Sequence, residues 1–439
     1  MGAPRVTTSS PRRRELVLRA CAVAVTVGSA ALLAAGLVGP TAVAPPVAGP
    51  TAGLDLPATV LADVAAYRAP RRAAVVVATV LGVVVPLLVA RIIAGRGGGG
   101  GRWAGAAAAR LRRFAPPATV AVVAGGTVLL TAVARLPLGV WAGVVQDGRW
   151  GFRTASVGRW FADRVLLIGG EVLLVALGAA AVTLLVRRRP DGWVPRLVLG
   201  VALTGPLLLA LHPIVVHGLL LPTGPLPPGA HRDAIAEVVA RSDVDVPVLV
   251  GRASLRTTRP NAVATGLGPT ARIVVYDTLL ELPPSRAAAV VAHELAHVER
   301  RDPLRAALAP VPFVAVGGLL VRRLLGASTG GADGPRPRGP SLPPVRRLAL
   351  VAVLVLAVEA AATPVVAGLT RANELRTDVR AVELTGDAAA HVALLHDLVS
   401  ERLTDPAPPR WYELLVVTHP PPSVRARAVS GAAHVSATR

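Results

Sequence analysis

The sequence predicts a mainly α-helical polytopic membrane protein, and three observations support that prediction. Hydrophobic residues make up 53% of the 439 residues, and the mean hydropathy is +0.56. The apolar residues form long runs that arginine clusters separate. Seven runs approach or exceed the length of about 20 residues that a helix needs to cross the hydrocarbon core of a bilayer.

The seven predicted transmembrane helices lie on both sides of a polar central segment. They are Leu16–Val38, Ala73–Ala94, Ala118–Arg135, Val165–Val186, Val194–Leu221, Leu304–Leu325 and Leu348–Leu369. The first follows three arginines and resembles a signal peptide. Because its apolar part exceeds 20 residues, we expect a retained membrane anchor.

These spans divide the chain into four predicted units. Residues 1–221 hold five transmembrane helices with short basic loops, and residues 304–369 hold two helices joined by a Gly/Pro-rich linker. Residues 222–303 and 370–439 are polar enough to fold outside the bilayer. Because two spans separate these polar segments, we expect both on the same side of the membrane, where they can build one site.

The net charge of +21 comes from arginine alone, because the sequence contains no lysine. The arginines flank the apolar spans, where basic side chains anchor helices at lipid headgroups. No nucleic-acid-binding motif accompanies them, so we expect the lipid bilayer as a partner and no nucleic acid. The single cysteine, Cys21, excludes an intramolecular disulfide and a cysteine-based metal site. The predicted location is the cell membrane.

The motif His293-Glu294-Leu295-Ala296-His297 carries the predicted chemistry. Its two histidines are four residues apart, so on a helix both imidazoles project from one face. Two such imidazoles can hold Zn²⁺, and Glu294 can take a proton from a water on the metal. A solvated helix face can show the same five residues, so the motif needs support from elsewhere in the chain.

Support comes from Glu374 and Asp378, which follow the last predicted span and are also four residues apart. Glu374 can supply the third protein ligand that zinc requires. Asp378 can accept a hydrogen bond from a ligand imidazole and orient its ring. The alternative is a solvated acidic face on a helix next to the membrane.

Four stretches, taken in order, resemble the integral-membrane CAAX prenyl endopeptidases and their bacterial stress-protease relatives of the HtpX type. They are Arg259–Gly266 (an Asn-Ala-x-x-x-Gly pattern), His293–His297, Thr370–Asp378 and Trp411–Arg425. In the third stretch Thr370 and Thr377 replace the Ser and Ala of the family pattern Ser-Arg-x-x-Glu-x-x-Ala-Asp, while its Arg, Glu and Asp are kept. The resemblance covers roughly residues 222–439.

The resemblance implies a gluzincin-like zinc protease domain, a motif helix plus a small β-sheet, at the membrane surface. One Zn²⁺ per chain would be bound by His293, His297 and Glu374, with Glu294 as the general base. Residues Asn261, Ala262, Val263 and Ala264 would form an edge strand that pairs with the extended backbone of a peptide or protein substrate.

Further residues are assigned by the same resemblance. His419 would stabilise the oxyanion of the transition state, and Arg371 and Arg425 would support the site. Asp302 would either support the site or cap the following span. Capping is the favoured expectation, because the proline after Asp302 suits the first turn of a helix.

The predicted function is that of a zinc metalloendopeptidase acting on membrane-associated or unfolded proteins. One alternative is an intramembrane site-two-type protease, although the apolar part of the motif helix, Ala287–Val298, is too short to span and no Leu-Asp-Gly stretch is found. The other is a non-catalytic transporter or scaffold. The arginine distribution places the site outside the cytoplasm and the resemblance places it inside, so the side of the membrane stays open.

Several polar residues receive no assigned role. Glu171 and Glu359 lie within predicted spans, where they can line a polar cavity or act as hydrogen-bonded packing residues. The histidines outside the motifs show no ligand-like partners; they are His212, His217, His231, His391, His396 and His434.

Overall fold

The computed structural model describes residues 11–35, 54–94, 116–326 and 344–437, which form helices around one small sheet. The helices are α1 (Pro11–Ala35), α2 (Ala58–Ala94), α3 (Pro116–Val140), α4 (Val157–Arg188), α5 (Trp193–His212), α6 (Ala230–Ala240), α7 (Pro284–Glu299), α8 (Asp302–Leu308), α9 (Pro310–Gly326), α10 (Pro344–Thr385), α11 (Ala388–Ser400), α12 (Arg410–Leu415) and α13 (Pro422–Ala437). The strands are β1 (Thr223–Pro225), β2 (Val248–Gly251), β3 (Ala262–Thr265) and β4 (Arg272–Tyr276). Helices α3 and α5 continue into the π-helical turns Trp141–Gln146 and Pro213–His217.

Within these described ranges, six helical stretches are long and apolar enough to cross a membrane. They are Ala58–Ile93, Pro116–Arg149, Val157–Arg188, Trp193–Leu220, Asp302–Arg323 and Val353–Thr385. Their apolar side chains are largely exposed, as in Val165 (68%) and Leu203 (74%), which is expected of side chains that face lipid. The predicted mainly helical membrane fold is confirmed. The first predicted span corresponds to α1, and its last three residues lie outside the described part.

Helix α10 joins the last predicted span to the stretch that follows it. The prediction ended the span at Leu369, but the helix runs without interruption for 42 residues, a length of about 63 Å. Pro364 lies inside it. Glu374 and Asp378, which were predicted to lie beyond the span, are therefore on the same helix as the span.

Helix α2 also extends beyond its predicted span, which began at Ala73. Its first turns carry Tyr67, which is fully buried and donates a hydrogen bond to Asp147 Oδ1 at 2.7 Å. Arg71 and Arg259 pair with the same carboxylate oxygen at 2.9 and 3.2 Å. This cluster links α2, and the turn after α3, to the segment that leads into strand β3.

The sheet has the strand order β1-β2-β4-β3, so β3 is an edge strand. It pairs antiparallel with β4, and Tyr276 N donates to Asn261 O at 2.9 Å. Hydrogen-bonding groups alternate in direction along an antiparallel strand. The N–H and C=O groups of Ala262 and Ala264 therefore point away from the sheet.

The main core lies between this sheet and helices α6, α7, α10 and α11. Ile273 and Val275 from β4, and Val291 and Leu295 from α7, have no exposed surface. Helix α10 contributes Leu384, which is 1% exposed. Packing of α7 against both the sheet and α10 fixes the position of the motif helix.

We expect Leu384→Ala to destabilise the protein by about 2–5 kcal/mol, because it opens a cavity in this core. Thermal unfolding of the purified protein in detergent micelles measures the effect. Leu255→Ala removes the same atoms from a side chain that is 47% exposed, and should change the stability by less than ~0.5 kcal/mol. Equal effects of the two variants would contradict the described packing.

Candidate active site

Helix α7 carries His293, Glu294 and His297. Pro284 suits its first turn, and the alanines that follow are strong helix formers. The two imidazole rings lie with their centroids 4.8 Å apart and nearly perpendicular. His293 is 8% exposed, so its ring is enclosed between α7 and α10.

Helix α10 brings Glu374 against both imidazoles. Its Oε2 lies 3.3 Å from His293 Nε2, and its Oε1 lies 3.4 Å from His297 Nε2. The three ligand atoms lie within 4.8 Å of one another. Glu374 is 3% exposed, and its Oε2 atom is buried without a hydrogen-bond partner.

These distances fit a small divalent metal ion. Ligand atoms about 2.0–2.1 Å from a tetrahedral zinc ion stand about 3.3 Å apart, which is close to the separations between Glu374 and the two histidines. The unpartnered Oε2 of Glu374 is an oxygen that such an ion would satisfy. The residues present therefore suit a metal held by two nitrogen atoms and one carboxylate.

Each histidine is backed by a carboxylate on its other ring nitrogen. Asp378 Oδ1 lies 3.0 Å from His293 Nδ1, and Asp302 Oδ2 lies 3.0 Å from His297 Nδ1. Burial lowers the pKa of His297, but hydrogen bonds to Asp302 and Glu374 outweigh burial and raise that pKa to about 10. In both imidazoles Nδ1 thus lies against a backing carboxylate, and Nε2 faces the carboxylate of Glu374.

Asp302 takes a position that differs from the favoured capping expectation. Helix α8 begins at Asp302 itself, with Arg301 before it in a left-handed conformation (φ 57°). The Asp302 carboxylate contacts His297 and also accepts a hydrogen bond from Arg305 Nη1 at 2.9 Å. The sharp turn at Arg301 is what returns this carboxylate to the histidine.

Asp378 is the centre of a buried polar cluster. Arg425 donates to it from Nε at 2.7 Å and from Nη2 at 2.6 Å. His391 Nε2 lies 3.1 Å from Asp378 Oδ1. Asp378 and His391 have no exposed surface, and Arg425 is 8% exposed.

His391 is a site residue that sequence reasoning missed. Burial lowers its pKa, which favours a neutral ring that donates one hydrogen bond to Asp378. The available signal was its place in α11, where Leu394 and Leu395 lie three and four residues further on and are buried. A histidine on the buried face of a helix needs a polar partner.

The predicted base, Glu294, is bound to the edge strand. Its Oε2 accepts a hydrogen bond from Ala264 N at 2.7 Å. That N–H is one of the groups on β3 that point away from the sheet. The predicted substrate strand and the predicted base are therefore in direct contact.

His419 lies between α12 and α13 and faces Glu374. Its Nε2 is 3.4 Å from Glu374 Oε1, and 62% of its side chain is exposed. Arg371 is not hydrogen-bonded to His419. Instead, Arg371 Nη1 donates to the carbonyls of Glu413 and Val417 at 2.7 and 2.6 Å, which holds the segment that precedes His419.

A cleft of about 790 Å³ leads to these residues. Its lining includes Asn261, Ala262, Val263, His293, Glu294 and His419. The cleft is large enough for several residues of a peptide. The site is thus a His-His-Glu cluster that could hold a metal ion, in a cleft beside an edge strand.

Comparison with known proteins agrees with this geometry. Residues 229–433 match peptidase family M48. The predicted resemblance to the CAAX prenyl endopeptidase and HtpX-like family of membrane metalloproteases is confirmed, and the protein is a metalloendopeptidase.

Two curated relatives and one solved structure extend the match beyond the peptidase domain. A CAAX prenyl protease 1 homolog of Oryza sativa subsp. japonica is 27% identical over 70% of this chain and 72% of its own length. The uncharacterized metalloprotease YhfN of Bacillus subtilis is 25% identical over 66% of this chain and 68% of its own length. The crystal structure of S. mikatae Ste24p superposes with a TM-score of 0.69 at 16% identity, covering 96% of this chain and all of that chain.

The Ste24p superposition shows that the transmembrane helices and the peptidase domain share one fold with that protein. Two alternatives were a site-two-type protease and a non-catalytic transporter or scaffold. The match to the M48 family supports neither of them.

We expect Asp378→Asn to destabilise the protein by about 3–5 kcal/mol, because it leaves the Arg425 guanidinium buried without its counter-charge. The measurement is thermal unfolding in detergent micelles. Adding Arg425→Met to Asp378→Asn should recover part of the loss, since the uncompensated charge is then removed.

The matched control is Glu237→Gln, which breaks an ion pair with Arg241 in which both side chains are about half exposed or more. Such surface pairs contribute about 0–1 kcal/mol, so this variant should unfold near the wild-type temperature. A loss as large as that of Asp378→Asn would argue against burial as the cause.

Proposed function

We propose that this protein is a zinc-dependent endopeptidase that hydrolyses peptide bonds of membrane-associated or unfolded proteins at the cell membrane. The observation that carries the proposal is the approach of Glu374 to within 3.3 and 3.4 Å of the two histidine Nε2 atoms. The hydrogen bond between Ala264 N and Glu294 also supports the proposal, because it places the edge strand, where a substrate could bind, next to these residues.

His293, His297 and Glu374 would hold the zinc ion. Two imidazoles and one carboxylate suit zinc, whereas calcium and magnesium prefer oxygen ligands alone. Bound zinc would polarise the scissile carbonyl and lower the pKa of a water molecule. Asp378 and Asp302 would keep the two imidazoles in orientation from behind.

Glu294 would act as the general base and then deliver the proton to the leaving amine. Its carboxylate is anchored by the Ala264 N–H on one oxygen, which leaves the other oxygen free to face the water. The anchor also ties the position of the base to the strand along which the substrate would lie.

His419 would donate a hydrogen bond to the oxyanion. Desolvation by the surrounding cleft lowers the pKa of this imidazole, although most of its side chain is exposed, and this favours the neutral ring. Thr418 Oγ1 lies 3.1 Å from His419 Nδ1. When the hydroxyl donates to Nδ1, Nε2 carries the proton and presents it to the site.

The substrate would bind as an added strand on β3. The outward-pointing groups left for a substrate are the N–H and C=O of Ala262 and the C=O of Ala264, because Glu294 already accepts the Ala264 N–H. Asn261 would lie at one end of that strand. Backbone hydrogen bonds of this kind bind peptides of many sequences, which suits a protease of unfolded chains.

We expect Glu294→Gln to lower kcat by at least about a hundredfold, because general base catalysis contributes roughly 10²–10⁴-fold. Cleavage of fluorescently labelled casein by the purified full-length protein, supplied with zinc, measures the effect. The variant should still bind one zinc per chain. Glu281→Gln, at an exposed position before α7, is the matched control and should be fully active. Full activity of Glu294→Gln would disprove the assigned role.

We expect Glu374→Ala to lose the bound zinc, because only two protein ligands remain. Metal analysis after dialysis should give one zinc per wild-type chain and far less for the variant. Asp378→Asn should weaken zinc binding by roughly 10–100-fold in a chelator competition. Glu383→Gln, exposed on the same helix, should bind zinc normally. Stoichiometric zinc in Glu374→Ala would exclude this carboxylate as a ligand.

A further inference from the structure

Strand β3 lies between the motif helix α7 on one face of the sheet and the end of α5 on the other. Successive side chains of a strand point to opposite faces. Ala262 packs in the main core with residues of α7, while Val263 packs against a second cluster that includes Leu221, directly after the transmembrane stretch Trp193–Leu220. Thr265 shares the face of Val263 and is 5% exposed. The edge strand is therefore in contact with a transmembrane helix.

His212, the last residue of α5, contacts the end of this strand. Its Nδ1 lies 2.9 Å from Thr265 Oγ1, a hydrogen-bond distance. A hydroxyl can donate to a bare ring nitrogen or accept from a ring N–H, so the contact suits either tautomer. The next residue, Gly266, has φ 83°, and a side chain there would meet the backbone of Thr270. Because the chain turns sharply after Thr265, this hydrogen bond acts at the point where the strand ends.

A π-helical turn brings a second histidine against His212. Residues five apart on an α-helix point about 140° away from each other, which would place His212 and His217 on different faces. The turn Pro213–His217 is π-helical, and its wider spacing brings residues five apart close together. The two rings pack edge to face with their centroids 5.3 Å apart. Because His217 is 6% exposed, it supports the His212 ring from the protein interior.

The residue before Thr265 carries the hydrogen bond to the proposed base. Ala264 N donates to Glu294 Oε2 at 2.7 Å. Consecutive Cα atoms are fixed about 3.8 Å apart across a planar peptide, so a displacement of Thr265 is transmitted to Ala264. The position of the strand end and the direction of the Glu294 carboxylate are thus coupled.

We propose that His212 is a positioning residue for the reaction. Through Thr265 it fixes the end of β3, and through the Ala264 N–H it fixes the direction of the Glu294 carboxylate. This inference rests on the proposed function, in which Glu294 is the general base. A base must lie within hydrogen-bond reach of the proton that it removes, so a small displacement of the strand lowers kcat without loss of the metal. A transmembrane helix thus helps to set the geometry of the base.

Hydrogen exchange tests the contact without relying on activity. His212→Leu removes the hydrogen bond and keeps a side chain of similar bulk, whereas His212→Asn keeps a polar atom that can bond the Thr265 hydroxyl. In the purified full-length protein, mass spectrometry resolved to single amides should show exchange at Ala264 about 3–10-fold faster in His212→Leu, as expected for loss of one net hydrogen bond. His212→Asn should match wild type. The amide of Val274, in the buried strand β4, is the internal control and should not change.

Kinetics on the zinc-loaded protein test whether the contact acts through the base. We expect His212→Leu to lower kcat for labelled casein about 3–10-fold, with one zinc per chain retained and His212→Asn close to wild type. Added to Glu294→Gln, His212→Leu should leave the residual kcat unchanged, because no base remains to be misplaced. A contact that only stabilises the fold would lower kcat by the same factor in both backgrounds, and that result would overturn the inference.

Further variants guard against a folding defect at His212. Thr265→Val removes the hydroxyl from the other side of the contact and should reproduce the effect of His212→Leu, whereas Thr265→Ser should keep the wild-type kcat. His231→Leu is the matched control, because it breaks a hydrogen bond of 2.8 Å to Leu282 O that does not involve β3. Its kcat should stay within about twofold of wild type. An unchanged kcat in Thr265→Val would contradict the positioning role.

The two measurements separate this inference from the proposed function. Unchanged Ala264 exchange in His212→Leu overturns the positioning role even if the protein cleaves casein. Faster Ala264 exchange in a protein that cleaves nothing would instead refute the endopeptidase function, while the positioning of Glu294 by His212 would stand.

Discussion

One buried carboxylate, Asp378, holds the site together. It stands on α10 and contacts Arg425 from α13, His391 from α11 and His293 from α7, all within 3.1 Å. A buried ion pair tolerates little displacement, because either charge left alone in the interior is strongly unfavourable. The four helices therefore have one arrangement that satisfies Asp378, and that arrangement brings Glu374 to the histidines.

The hydrogen bond between Glu294 and Ala264 joins the motif helix to the edge strand. Strand β3 is held on one side by β4 and on its free side by the carboxylate of the motif helix. A strand edge usually leaves its outward N–H groups unpaired, which invites non-specific pairing. Here one of those groups binds Glu294, the proposed base, so the length of edge open to another chain is short and lies beside the proposed metal ligands.

Much of this arrangement could be predicted because it depends on residues that are only a few positions apart along the chain. His293 and His297 are four residues apart, as are Glu374 and Asp378, and helical periodicity places each pair on one face. The transmembrane helices follow from length and hydropathy. Their ends did not follow, because α2 and α10 continue into polar sequence once tertiary contacts stabilise them.

The contact of His391 with Asp378 could not be read from the sequence. It depends on how α11 packs relative to α10, and no local pattern marks the partner. Asp302 was visible in the sequence, but its direction depends on the left-handed turn at Arg301, which adjacent residue types do not encode.

The continuity of α10 has a mechanical consequence. A proline inside a helix removes one backbone hydrogen bond and concentrates bending at that point. Pro364 lies ten residues before Glu374, a lever arm of about 15 Å. A bend of about 5° at Pro364 would move Glu374 by ~1.3 Å, more than a third of its separation from the histidine nitrogens. The thickness and packing of the surrounding lipid, which set how a span tilts, would thus act on the position of Glu374, the proposed third metal ligand.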